Sequence, residues 1–192
     1  PPQNLTYQAD NRNEEEITDD FREQANVLNP YVDFFYFDVL SSIKEFKCGI
    51  KAIKEFKKPY LIGIHISEGT NLPSGEKISK IRDVIDDKVL GVMLSCVSPE
   101  NYEANLKEVK NLGVPFGFKL NGYLTTKPST SYTENYLKSK TGNPIEVLGK
   151  REDLNPDNMA KIVKKFKDSG ATILGGCCET SPSHIEAIAK LK

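Results

Sequence analysis

The sequence lacks long apolar runs and an excess of one charge. No stretch approaches the roughly 18 consecutive apolar residues that a membrane-spanning helix needs. The 26 basic and 27 acidic side chains nearly cancel, which argues against a nucleic acid or an anionic membrane as a partner. Residues 1–4 show neither the basic region nor the apolar region of a secretory signal, so we expect a cytoplasmic protein.

Cysteine is scarce, and the four residues are Cys48, Cys96, Cys177 and Cys178. Without a secretory signal, and in a chain long enough to build its own core, reduced thiols that are buried or metal-bound are favoured over disulfides. Cys48 falls in a predicted helix, where it is interpreted as an ordinary small apolar residue. No C-x-x-C pair is present, so the other three cysteines lack the usual signature of a structural zinc site.

Strand and helix patterns alternate along the whole chain. We predict one α/β domain over 1–192, with helices at 13–28, 42–56, 76–85, 98–113, 155–170 and from 182 onward. Short apolar runs predict parallel strands at 32–40, 60–66, 89–96, 114–120 and 171–174. Five such strands fit either a complete doubly wound sheet or part of an eight-stranded barrel, and the pattern alone leaves both open.

Residues 122–144 have no apolar period and are rich in Thr, Ser, Tyr, Lys and Gly. A loop of this length inside a compact domain is usually either a functional lid or disordered. Because the segment leaves the carboxyl end of a predicted strand, where α/β proteins bind ligands, we favour a long loop on the active-site side.

Cys96, Cys177 and Cys178 all lie at the carboxyl ends of predicted strands. Three thiolates converging there would form a sulfur-rich zinc site with one open position, which is typical of a catalytic zinc. The alternative is a set of unrelated buried thiols. Spacing alone does not choose between the two.

Several segments of this sequence match one known family. GGCCETSPSHI (175–185), LGKREDLNPD (148–157), GVMLSCVSPE (91–100) and LNGY (120–123) together resemble the C-terminal portion of the zinc-dependent homocysteine S-methyltransferases, the betaine and S-methylmethionine type. The resemblance implies a (β/α)8 TIM barrel, of which this chain carries about five C-terminal strands, equivalent to strands 4–8, and their helices. Cys96 would lie on the sixth strand and the cysteine pair on the eighth, where side chains of alternate strands reach the same level.

The resemblance also implies a reaction. Zn²⁺ held by Cys96, Cys177 and Cys178 would take the homocysteine thiol at its open position, and that sulfur would attack a methyl group on an onium or methyl-folate donor to give methionine. No general base is required. The alternative is a non-catalytic or truncated zinc-binding barrel fragment that acts as an interaction module.

Three further residues match substrate-binding positions of the family. Asp38 stands where the family usually has a Glu that holds the amino group of the amino acid, Ser95 replaces an Asn, and Asn121 ends a strand. Glu179 stands where the family often has Gly. Of the two histidines, His65 is either a pocket residue or a packing residue, and His184 is expected to cap or pack a helix start.

By this resemblance, the chain starts just after the third barrel strand. Five barrel strands would leave two open edges and an exposed interior, so we expect a fragment, a proteolysed form, or a naturally split or degenerate gene product. We further expect it to self-associate or to pair with an N-terminal barrel partner.

Overall fold

A five-stranded parallel sheet forms the centre of the molecule. The computed structural model describes residues 7–66, 69–124 and 145–191. Its strands lie side by side in the order β1-β2-β3-β4-β5, and every neighbouring pair is parallel. Their bounds are β1 Phe35–Leu40, β2 Tyr60–Ile64, β3 Val89–Val97, β4 Phe116–Leu120 and β5 Ile173–Gly176.

Helices connect the strands and begin where the sequence provides caps. The Asn13 side chain accepts a hydrogen bond from the backbone N–H of Glu16, and Ser98 and Asn155 cap their helices in the same way. The α-helices are α1 Glu14–Leu28, α2 Ile43–Ile53, α3 Pro99–Lys110, α4 Ile145–Leu148, α5 Pro156–Asp168 and α6 Pro182–Ala189. Short 3-10 helices span Asn29–Tyr31, Lys54–Phe56 and Ile78–Asp83.

The strand order decides between the two architectures left open by the sequence. A doubly wound sheet reverses its strand order at a switch point, whereas a barrel adds each new strand beside the previous one. All five strands here follow the second pattern. The sheet is therefore the wall of a barrel type of α/β fold, and the self-contained doubly wound alternative does not hold.

Successive side chains of each strand point to opposite faces of the sheet. One face packs against the helices: Phe37 contacts Phe21 of α1, and Phe118 contacts both Tyr102 of α3 and Phe166 of α5. Burying a side chain the size of Phe contributes about 1.5–3 kcal/mol to the stability of the fold. The opposite, inner face is more polar and carries Tyr36, Asp38, Ser95 and Lys119.

Two sequence expectations are corrected in detail. The α-helix predicted at 76–85 is a 3-10 helix at Ile78–Asp83, with backbone bonds from Lys80 N–H to Lys77 O and from Val84 N–H to Ile81 O. Its buried Ile78 and Ile81 are three residues apart, which suits three residues per turn. The first strand begins at Phe35 and not at residue 32, because the 3-10 helix containing Pro30 precedes it.

Residues 125–144, most of the predicted active-site loop, lie outside the described residues. The described residues resume at Ile145, where α4 begins. Within the described ranges, no helix has both the length and the apolar character needed to cross a membrane.

Candidate metal centre

Three thiols meet at the carboxyl edge of the sheet. Cys96 sits at a bulge near the end of β3, where the register to β4 shifts between Ser95 and Val97. Cys177 and Cys178 directly follow β5. The backbone fixes this pair in place, because Cys177 N–H donates to Leu120 O at 2.7 Å and Gly122 N–H donates to Cys178 O at 2.9 Å.

The sulfur positions match those of a tetrahedral metal site. Cys178 Sγ lies 3.7 Å from Cys96 Sγ and 4.0 Å from Cys177 Sγ, and all three sulfurs lie within 4.8 Å of one another. Zn–S bonds of about 2.3 Å in tetrahedral geometry put sulfur atoms about 3.8 Å apart. The structure thus brings the three predicted cysteines together at spacings that fit a metal ion.

Cys48 is not part of this cluster. It is buried in α2, and its thiol donates to Glu14 O at 3.6 Å. This confirms its interpretation as a small core residue.

The three thiols share protons through hydrogen bonds. Bonds from Cys177 and Cys96 lower the pKa of Cys178, and the same contact with Cys178 raises the pKa of Cys177. At Cys96, a bond with Cys177 lowers the pKa, but the bond to Cys178 and burial outweigh it and raise the pKa to about 11. A metal ion bound by these three residues would displace their thiol protons, because the thiolate is the form that binds metals.

Two tyrosines and an asparagine enclose the thiols. The hydroxyl of Tyr7 lies 3.2 Å from Cys96 Sγ, and Asn121 Nδ2 donates to Cys96 O at 2.7 Å. A hydrogen bond from Tyr123 helps to lower the pKa of Cys178. Burial raises the pKa of Tyr7, so its hydroxyl stays protonated and can donate to sulfur. Together with the buried Leu148, Tyr7 and Tyr123 pack around Cys96 and against the partly buried Cys177 and Cys178.

The three predicted substrate-binding residues lie beside the thiols, and they differ in whether their polar atoms already have hydrogen-bond partners. Ser95 is buried and hydrogen-bonded to the hydroxyl of Tyr36, and Asn121 is occupied by the Cys96 carbonyl. Asp38 Oδ2 accepts from Lys119 Nζ at 2.6 Å. Its Oδ1 is buried and has no hydrogen-bond partner among the described residues. Their roles in substrate binding stay predictions.

The two histidines serve packing and capping. His65 is fully buried, its Nδ1 donates to Ser95 O at 3.2 Å, and its ring lies 4.2 Å from that of Tyr7. Burial lowers the pKa of His65 to about 4, so the ring is neutral. His184 accepts from Ser181 N–H at 3.0 Å at the start of α6, which confirms the predicted cap.

Backbone strain is concentrated at the same edge. Val39, Cys96 and Glu179, at or just after the ends of alternate strands, have φ values of +56°, +55° and +63°. Non-glycine residues rarely adopt this left-handed region, and a β-branched residue such as Val does so at a real cost. Such strain commonly marks sites whose geometry is fixed for function.

Sequence reasoning missed Tyr7 and Lys119. Lys119 interrupts the apolar run 114–120. Because side chains of a strand alternate between the two faces of the sheet, this position could have been predicted to face inward. Tyr7 had no such signal, because it lies 89 residues from its partner Cys96 in a segment that is mostly polar.

Fold and site together define a class of protein. Parallel strands in sequential order, with three convergent thiols at their carboxyl ends, describe part of a (β/α)8 barrel with a thiol cluster suited to a metal ion. The family model described as Homocysteine S-methyltransferase matches residues 1–191. The chain belongs to this family, which confirms the resemblance inferred from its motifs.

Individual relatives agree with this assignment. The chain is 27% identical to Homocysteine S-methyltransferase 1 of Saccharomyces cerevisiae over 84% of its length, and 24% identical to Homocysteine S-methyltransferase 1 of Zea mays over 92%. It is also 25% identical to the Selenocysteine Se-methyltransferase of Brassica oleracea var. italica over 92%. The chain spans about half of each of these relatives, 48%, 52% and 48% respectively.

A solved structure supports the fold. The metallated form of the homocysteine methyltransferase MmuM from Escherichia coli superimposes with a TM-score of 0.74 at 15% identity. The match covers 99% of this chain and 56% of that protein. The five strands thus correspond to part of a complete barrel.

Proposed function

We propose that the protein transfers a methyl group to the thiol of homocysteine, giving methionine, with Zn²⁺ held by Cys96, Cys177 and Cys178. The observation that carries this proposal is the sulfur geometry, with separations of 3.7 and 4.0 Å at the carboxyl edge of a barrel sheet. Three protein thiolates leave a fourth tetrahedral position for a substrate, as in catalytic zinc sites. The methyl donor belongs to the onium or methyl-folate class.

Zn²⁺ held by these residues would lower the pKa of the substrate thiol, so that the thiol would be deprotonated at neutral pH, where a free thiol with a pKa of about 8.5 is mostly protonated. The residues of the chain prepare the site for it. Tyr7 and Asn121 hold Cys96 at the sulfur and at the carbonyl, respectively. Since His65 is buried and neutral, it is not poised as a general base, and none is needed when the thiol binds as a thiolate.

Asp38, Ser95 and Asn121 are the proposed contacts to the amino acid. The buried Oδ1 of Asp38 has no hydrogen-bond donor among the described residues, and the α-ammonium group of an amino acid would supply one. A cytoplasmic location remains part of the proposal, as does association with a second copy or an N-terminal barrel partner. The latter is supported by β1 and β5, each of which has one strand neighbour among the described residues.

Metal analysis and a methyl-transfer assay test the proposal. Reduced protein should hold about one equivalent of zinc, and Cys178→Ala should lose it while Cys48→Ala, a thiol outside the cluster, should keep it. Methionine formation from homocysteine should follow the same order with at least one onium or methyl-folate donor. Less than about half an equivalent of zinc in wild-type protein, or no methyl transfer from any donor by folded, zinc-loaded protein, would overturn it.

A further inference from the structure

An ion pair occupies the inner face of the sheet next to the thiols. Lys119 lies between Phe118 and Leu120, whose side chains face the helices, so its own side chain points inward. Its Nζ contacts Asp38 Oδ2 at 2.6 Å and lies 5.2 Å from the centre of the Tyr36 ring. The pair therefore joins β1 to β4 across two intervening strands.

Lys119 carries a full positive charge in this position. Burial alone would lower its pKa, but the hydrogen bond and the charge of Asp38 outweigh burial and raise it. Lys119 is paired in register with Gly175 of β5, two residues before the cysteine pair, which places it beside the thiol cluster. A cation and an anion are thus fixed side by side near the position where a substrate sulfur would bind.

The ion pair with Lys119 uses only one of the two carboxylate oxygens of Asp38. A carboxylate in a structural ion pair commonly uses both oxygens, as the buried Asp10 does here through Oδ1 and Oδ2 contacts to Arg12, whereas Asp38 is half-buried. Asp38 uses Oδ2 for Lys119, and its buried Oδ1 has no partner among the described residues. An unpaired buried carboxylate oxygen is costly, so a structural role alone does not account for this arrangement.

We propose that Lys119, held in place by Asp38, binds the α-carboxylate of the acceptor amino acid and thereby sets specificity. An α-amino acid carries its ammonium and carboxylate on one carbon, so the two charges are as close as those of the pair. Placed against Asp38 and Lys119 in the opposite sense, they give alternating charges and fill the free Oδ1. This inference rests on the proposed function, since it names what the same site selects.

Thiol binding to the cobalt-loaded protein tests the inference without turnover, because sulfur-to-cobalt absorption reports each bound thiol. Three thiols are titrated: homocysteine, mercaptopropylamine, which lacks the carboxylate, and mercaptobutanoate, which lacks the amine. Wild-type protein should bind homocysteine about tenfold or more tightly than mercaptopropylamine, as expected when a charged hydrogen bond is lost. Lys119→Met should remove that preference because it weakens the binding of homocysteine. Mercaptopropylamine should bind to this variant as tightly as to the wild type, or more tightly.

Matched variants separate recognition from folding. Lys165→Met removes an exposed lysine that pairs with Glu103 in the helical layer, and it should leave all three affinities unchanged. Lys119→Arg keeps the charge and should recover part of the preference for a carboxylate. The double variant Asp38→Asn/Lys119→Met leaves no unpaired charge, and by the same logic it should bind the three thiols with similar affinity.

Two negative outcomes are distinguishable. If homocysteine does not perturb the cobalt spectrum of wild-type protein, the proposed function fails, and this inference fails with it. If homocysteine binds through sulfur but Lys119→Met keeps the wild-type preference over mercaptopropylamine, only the role of Lys119 is overturned.

Discussion

Glu179 offers a sharp test of how the thiol edge is built. It directly follows the cysteine pair and has a φ of +63°, a conformation that costs an L-residue about 1–2 kcal/mol. Its Cβ also lies 3.1 Å from the point where a Cβ on Gly122 would stand, so the two backbones pass closely. Glycine adopts this conformation without strain.

The expected gain follows from two opposing contributions. Glu179→Gly removes about 1–2 kcal/mol of strain but adds about 0.5–1 kcal/mol of conformational freedom to the unfolded chain. The net result is a stabilisation of about 0.5–1 kcal/mol. In a domain of this size, that corresponds to an increase in Tm of about 1–4 °C.

Thermal unfolding of the metal-loaded protein measures this change. Glu23→Gly is the matched control, because Glu23 is an exposed residue in the middle of α1, where glycine should destabilise by about 1 kcal/mol. The two variants should therefore shift Tm in opposite directions. A decrease for Glu179→Gly similar to that of the control would refute the strain argument.

Three further predictions concern the same edge. Metal at about a hundred times its Kd should stabilise the wild type by about 2.7 kcal/mol, and Cys96→Ala should abolish this stabilisation in a melting experiment with and without a chelator. As His65 has its pKa lowered to about 4 by burial, the unfolded chain binds a proton that the folded one does not between about pH 6.5 and 4. Stability should fall by up to about 3 kcal/mol as the pH drops through this window, and a His65→Gln variant with an equally steep pH profile would contradict the assignment. At Gly63, an added Cβ would lie 2.7 Å from both Ser95 Oγ and Tyr36 Oη and 2.9 Å from Phe37 O. Gly63→Ala should thus cost about 1–3 kcal/mol, and unchanged denaturant unfolding would show that the inner face can relax.

Much of the architecture was predictable because it depends on local patterns. Apolar runs located all five strands, and the caps at Asn13, Ser98 and Asn155 located the helix starts. Strand order was not predictable in this way, since hydrophobic periodicity says nothing about which strands pair. The sheet itself was needed to separate a barrel wall from a doubly wound sheet.

Some features of the site could likewise be predicted from the sequence, and others could not. Three cysteines at strand ends were sufficient to predict a cluster, since the carboxyl ends of parallel strands share one edge. The contact from Tyr7 and the pairing of Asp38 with Lys119 depend on residues far apart in the chain, which no local pattern reports. Neither the strain at Val39 nor that at Cys96 was foreseeable, because both residues normally favour extended backbone.

The placement of the thiols on β3 and after β5 has a consequence for protein turnover. An ion bound by Cys96 and the cysteine pair would span β4 and fasten β5, a strand of four half-buried residues at one side of the sheet. Without the ion, β5 would be held to the sheet by its four-residue pairing with β4, and we expect the segment after it to be more accessible to proteases. Zinc supply would then govern the lifetime of the protein as well as its chemistry, and limited proteolysis with and without chelator would reveal a metal-dependent cleavage near residue 176.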